Sequence, residues 1–136
     1  MSYAPAGVPE VLAVIRRIVG DLIGTYRRPD GSTTPALYVV GRQDVPSNWT
    51  VEGVECVLSE VPEMRTEAGV GMVNQVRTWT IRFTNYGDDA AIATIQDRFH
   101  RTFPQWVTTT YLPSSADSFE QVTVRLTERV LRNSYL

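Results

Sequence analysis

The chain is 136 residues long, with 43% hydrophobic and 21% charged residues and a formal net charge of −2. That length supports one domain whose core buries about two thirds of the unfolded surface. The composition excludes a collagen, a coiled coil, a disulfide scaffold and a fully disordered chain. The near-even charge balance gives no general attraction to nucleic acid or anionic lipid.

All 13 basic residues are arginine. The lack of lysine removes Schiff-base chemistry, a P-loop lysine and a lysine general base. Two readings account for it: codon bias in a GC-rich genome, or a surface of planar, bidentate contacts suited to lasting interfaces. Cys56 and His100 are each the single residue of their kind. They make neither an internal disulfide nor a tetrahedral zinc site within one chain, and a solitary cysteine fits a reducing compartment. Residues 8–23 are the most apolar stretch. Arg16, Arg17 and Asp21 interrupt it well short of the ~20 apolar residues of a membrane span. It also lacks the marks of a signal peptide, so Asn48-Trp49-Thr50 matches a glycosylation sequon by chance.

Residues 1–8 are small and proline-rich, and read as a mobile N-terminal arm. Pro9 then opens a helix to about Tyr26. Its apolar residues Val11, Leu12, Ile15, Ile18, Val19, Leu22 and Ile23 recur every three or four positions. Arg17 and Asp21, on the other face, are spaced to pair. Residues 27–35 carry strong loop signals. Residues 36–41 (ALYVVG) form a short buried strand, and 42–48 a second loop. Residues 49–61 alternate, with Val54, Cys56 and Leu58 on one face, and end at Pro62. Residues 62–71 read as a long charged hairpin loop. Residues 72–86 are the clearest strand: Trp79, Ile81 and Phe83 alternate with Thr78, Thr80, Arg82 and Thr84. Asp88 or Asp89 caps a helix to Phe103 with a stripe of Ile92, Ile95, Phe99 and Phe103. Strands follow over 105–112 and 118–130, and 131–136 form a C-terminal tail. The fold class expected is α+β in a single domain, 1–136: an antiparallel sheet with two helices on one face, in the order α-β-β-β-α-β-β.

No catalytic constellation is legible. His100 lies off the apolar stripe between Arg98 and Arg101, with Asp97 three residues earlier, and reads as a solvated helix-face residue. Cys56 reads as a small core hydrophobe. Asp88 and Asp89 are explained by capping. Glu52, Glu55, Glu60, Glu63 and Glu67 divide between strand faces, and Asp30-Gly31 is a turn without EF-hand spacing. Gly69-Val70-Gly71 is a lone glycine pair in a loop and no phosphate-binding motif occurs. Arg82, Arg125 and Arg129 lie on polar strand faces among threonines. The aromatics lie on the apolar faces, so the basic-plus-aromatic pattern for stacking bases is missing. A face that packs side by side with other protein suits this pattern better.

The element order, the loop Arg28-Pro29-Asp30-Gly31-Ser32-Thr33-Thr34-Pro35 with the strand ALYVVG after it, and the strand Trp79-Thr80-Ile81-Arg82-Phe83 feeding Tyr86-Gly87 carry a likeness. Over residues 8–130 the chain resembles tail terminator and neck (tail-completion) proteins of long-tailed bacteriophages. The resemblance implies a virion structural protein, assembled in the host cytoplasm. It implies a ring of six copies that caps the tail tube, meets the head–tail connector or stopper protein, and leaves a channel for DNA without binding it specifically. It implies no cofactor, metal or catalytic residue and no membrane. A heterologous ring needs free loops and edges, and Arg27 and Arg28 in the first loop and Arg65 and Glu67 in the hairpin are the expected contacts. A slightly acidic balance suits a channel through which DNA slides. A head–tail adaptor or minor tail protein is the second reading. An α+β enzyme or ligand module, with His100, Asp97 or Glu55 meeting in a pocket, is the reading of another class; a nucleic-acid binder is a further one.

Overall fold

The structure, a computed structural model, describes residues 8–40, 45–69, 72–87 and 91–133, with the side chains of 60–77 and 128–133 outside that description. Helix α1 (Val8–Val19) presents Val11, Ile15, Ile18 and Val19 to the core at helical spacing. It stops seven residues before the sequence-predicted end. Amide groups of Leu22 and Ile23 both bond back to the Val19 carbonyl, and the chain then runs extended. There Gly24 lies so close to the next element that a Cβ on it would stand 1.9 Å from the Glu52 carbonyl oxygen.

The predicted loop over 27–35 is a hairpin. Strand β1 (Thr25–Arg27) pairs antiparallel with β2 (Thr33–Pro35) and, on its other side, with β4 (Thr50–Glu52), giving a three-stranded sheet in the order β2-β1-β4. Its turn closes through Arg28 and Ser32, whose amide and hydroxyl both donate to Asp30 Oδ1 at 2.9 and 2.6 Å. Gly31 takes the positive φ of 87° that the turn requires.

The main sheet has the order β3-β5-β6-β8-β7, formed by β3 (Leu37–Val39), β5 (Val54–Gly69), β6 (Met72–Asn85), β7 (Val107–Leu112) and β8 (Gln121–Asn133). Four of its strands are antiparallel neighbours, but β3 pairs with β5 in parallel. The sheet is therefore mixed, which corrects the antiparallel expectation. A parallel neighbour needs a crossover, and the chain makes it through β4 on the small sheet. The single strand expected over 49–61 divides at Gly53, whose φ of 82° turns the chain from one sheet to the other. The observed order is α-β-β-β-β-β-β-α-β-β.

The expected hairpin loop over 62–71 is likewise strand. Strands β5 and β6 stay paired as far as Gly69 and Met72, with register shifts between Val61 and Met64 and between Glu67 and Gly69. Pro62 has no amide to donate and falls inside the first shift, so the ladder skips a step and resumes. Strand β8 runs past the predicted boundary to Asn133, opposite Met72.

Helix α2 (Ala91–Thr102) follows β6; its expected caps, Asp88 and Asp89, lie outside the described residues. Both helices cover one face of the main sheet. Val11, Ile15, Val19, Ile92, Ile95 and Phe99 share a core with Cys56, Leu58, Trp79, Ile81, Phe83, Val122, Val124 and Leu126. Phe83 and Phe99 meet at 5.7 Å between ring centroids. Strand alternation sends the polar partners Ser59, Thr80, Arg82, Thr123 and Arg125 to the other face, which neither α1 nor α2 covers.

Candidate protein–protein interface

The two ends of the main sheet differ. At one end β5 and β8 begin while β6 and β7 finish, so residues 84–86, 111–112 and 119–121 converge, with Leu112, Gln121 and Thr84 in one cross-strand row. The loop before β8 is tied down by mutual bonding of Ser115 and Ser118, at 2.9 Å from Ser115 N to Ser118 O. The Asn85 amide donates to the Glu120 carbonyl at 2.8 Å, and the Tyr86 amide to the Gly53 carbonyl at 2.7 Å. These bonds hold Tyr86 and Phe119 against each other, ring centroids 4.6 Å apart and planes tilted by 56°.

That end gathers apolar surface. Tyr86, Tyr111, Leu112 and Phe119 are 36%, 44%, 50% and 54% exposed, and they are four of the five large exposed hydrophobic residues among those described. The Glu120 carboxylate accepts the Tyr111 hydroxyl and, at 3.5 Å, the Asn85 side-chain amide. Its hydrogen bond holds the Tyr111 hydroxyl proton and raises that pKa. Rigid aromatic rings with a fixed acceptor among them and a polar rim have the make-up of a docking surface for protein. The sequence reading missed this cluster. A signal was there: Phe119 stands alone in the polar run 114–121, and Leu112 is followed by the strand-ending Pro113.

At the other end the sheet narrows. Strand β3 leaves β5 after Leu58, and β7 begins opposite Leu126, so among the described residues β5, β6 and β8 alone continue, as far as Gly69, Met72 and Asn133. Arg65 and Glu67, expected at a loop tip, stand in this ribbon opposite Gln75 and Val73; their side chains lie outside the described residues, as do residues 70 and 71.

Arg27 and Arg28 are engaged within the chain. Arg27 pairs with Glu52 across β1 and β4, Nε to Oε1 at 3.3 Å. Arg28 donates to Ser32 Oγ at 3.1 Å and stacks its guanidinium 4.9 Å from the Trp49 ring centroid. Beside them Tyr26 donates to Glu55 Oε2 at 2.6 Å, and its hydroxyl pKa is pushed far up, first by burial and then by that carboxylate.

His100, Asp97 and Glu55 do not meet. His100 is exposed on α2, its Nε2 3.1 Å from Thr109 Oγ1, the same hydroxyl that Gln96 donates to at 2.7 Å. Asp97 pairs with Arg101, and Glu55 is on the opposite face of the sheet. Cys56 is buried where expected, and burial drives its thiol pKa up. Among the described residues no three acidic, histidine or cysteine side chains cluster to hold a metal. Among the same residues no helix is long and apolar enough to cross a membrane.

Asp21 does not take Arg17 as its partner. Arg98 Nη1 donates to Asp21 Oδ1 at 2.6 Å and to the Ile18 carbonyl at 3.0 Å, tying α2 to the end of α1. The Arg98 hydrogen bond holds the Asp21 carboxyl below the usual carboxylate range. A depressed folded-state value stabilises the fold above the unfolded-state pKa, near 3.9, and that contribution fades as pH falls through the folded-state value. Arg98→Ala is expected to move the Asp21 titration upward in a carbon-detected NMR titration. An unmoved midpoint would show that Arg98 is not its cause. No protein-family model matches the chain, and no curated protein matches it in sequence.

Proposed function

We propose that the chain is a structural protein of a bacteriophage neck or tail. Copies associate head to tail into a closed ring, with six the expected number; the ring ends the tail tube, faces the head connector and leaves a channel for DNA. The observation that carries this reading is the inequality of the sheet's ends. One end bears the exposed apolar residues Tyr86, Tyr111, Leu112 and Phe119, and the other ends in a three-stranded ribbon. Two unlike patches at opposite ends favour heterologous contact, and a rotation that closes it gives a ring. The threonine- and arginine-bearing face opposite the two helices adds polar area for lateral packing.

The test is light scattering with negative-stain imaging, for the protein alone and with purified tail tubes. Rings near six times 15.3 kDa are expected. The double variant Tyr86→Ser/Phe119→Ser is expected to keep the melting temperature and to weaken association ~30-fold or more, the loss of about 2 kcal/mol. A chain that stays monomeric even with tail tubes present would overturn the reading. A double variant that still assembles at full strength would remove the aromatic cluster from it.

A further inference from the structure

A shallow recess between the two helices gathers arginines from both. Its volume is about 330 Å³, and its described walls are Arg17 and Ile18 from α1 and Arg98, Arg101 and Thr102 from α2. Arg17 and Arg101 stand in the last turns of their helices, where the negative end of each helix dipole offsets part of their mutual repulsion. Arg98 is pinned: its Nη1 donates to the Ile18 carbonyl at 3.0 Å and to Asp21 at 2.6 Å, which leaves Nε and Nη2 as donors. Arg101 meets Asp97 through Nε at 3.1 Å, and its two Nη groups are left to donate. Because Asp21 takes Arg98 in place of Arg17, Arg17 has no ion pair among the described residues. Asp21 and Asp97 are not among the described walls. Three guanidiniums thus share one recess with an excess of positive charge.

We infer that this recess binds a terminal phosphate group, as the free ion or as a monoester. Its donors select that chemistry. Guanidiniums give planar pairs of N–H bonds, which match the oxygens of phosphate and carboxylate. A carboxylate has two oxygens and one charge, and satisfies one such pair. A terminal phosphate has three free oxygens and close to two negative charges, so it can meet Arg98 on the recess floor and Arg17 and Arg101 from the two helices together. A phosphodiester keeps two free oxygens and one charge, and fits the three guanidiniums less well. Arg98 is already held by Ile18 and Asp21, so little side-chain freedom is lost when it donates. The Thr102 hydroxyl is turned back to the Arg98 carbonyl at 2.8 Å, which leaves the guanidiniums as the donors. The bound group would join the end of α1 to the end of α2, and so stabilise the fold by mass action. This site does not depend on ring formation.

NMR titration of the full chain tests it, with inorganic phosphate, phenyl phosphate and dimethyl phosphate as probes. Ionic strength is held constant with sodium chloride, at a fixed pH above the second ionisation of both terminal phosphates. The Arg17, Ile18 and Arg101 amide signals are expected to shift and saturate with inorganic phosphate, with half-saturation at ~1–5 mM. Dimethyl phosphate is expected to bind at least ~10-fold more weakly. The full-length variant Arg17→Gln/Arg101→Gln is expected to lose at least ~10-fold in phosphate affinity, while its Ile81 amide signal and melting temperature stay unchanged and report that it is folded. Arg98 is left in place because it ties the helices together. Phenyl phosphate binding as tightly as inorganic phosphate assigns the site to a monoester, and binding of inorganic phosphate alone assigns it to the free ion; both results uphold the inference. Shifts that never saturate, equal binding of dimethyl phosphate, or equal binding by the double variant would overturn it.

Discussion

Trp79→Ala is expected to lower the unfolding free energy by ~3–5 kcal/mol, and Phe99→Ala by a similar amount. Both side chains are fully buried, one from the middle of β6 and the other from α2. Phe99 packs at a tilt against Phe83, so its loss opens a cavity where the second helix meets the sheet. Neighbours in a close-packed interior relax only partly into such a space. For a chain of this length each kcal/mol lowers the melting temperature by about 3–4 °C, so a fall of ~10–20 °C is expected by calorimetry. A melting temperature within a few degrees of the natural protein's would mean that the helices do not rest on this face.

Gly24→Ala is expected to cost about 2 kcal/mol or more, although the new side chain is a single methyl group. A Cβ at this position would lie 1.9 Å from the Glu52 carbonyl oxygen and 2.8 Å from the Val54 amide nitrogen. Both are main-chain atoms, so no flexible side chain can move aside. The Gly24 amide also donates to the Val54 carbonyl at 2.8 Å, and its carbonyl accepts from Ala36 at 3.0 Å. The substitution therefore pulls at both sheets at once. Denaturant titration checks this, with Gly31→Ala as a comparison. Gly31 has a positive φ but nothing within 4 Å, and it is expected to lose less. If Gly24→Ala is as stable as the natural chain, the close approach of the two segments is not as described.

The helices and the central strands were legible because their signals are local. Ile15, Ile18, Ile95 and Phe99 repeat at helical spacing, and Trp79, Ile81 and Phe83 alternate; each of them reaches the core. The small sheet was not legible. Its strands are three residues long, too short for alternation to register, and they contain Thr33, Thr34 and Pro35 in a run that reads as a loop. Arg27 and Arg28 looked available for the same reason, whereas pairing brings Glu52 and Trp49 to them from 25 and 21 positions along. The extension of β5 and β6 was hidden by Pro62, which signals a strand's end unless a bulge absorbs it. The aromatic cluster was hidden because Tyr86, Tyr111 and Phe119 come from three separate segments, which only the register of the finished sheet aligns.

Gly53 joins β4 to β5 with no spare residue, so the small sheet and the main sheet are geared together. Strand pairing has a period of two, and a shift of one residue turns every side chain to the opposite face. An insertion or deletion of one residue at this point would leave one sheet in register only by inverting the other: either Cys56 and Leu58 would leave the core, or Tyr26 would lose its place opposite Val51. The chain can change length at the turn after Arg28 without this penalty. Divergence in length among related chains should therefore collect in that turn and spare the junction at Gly53.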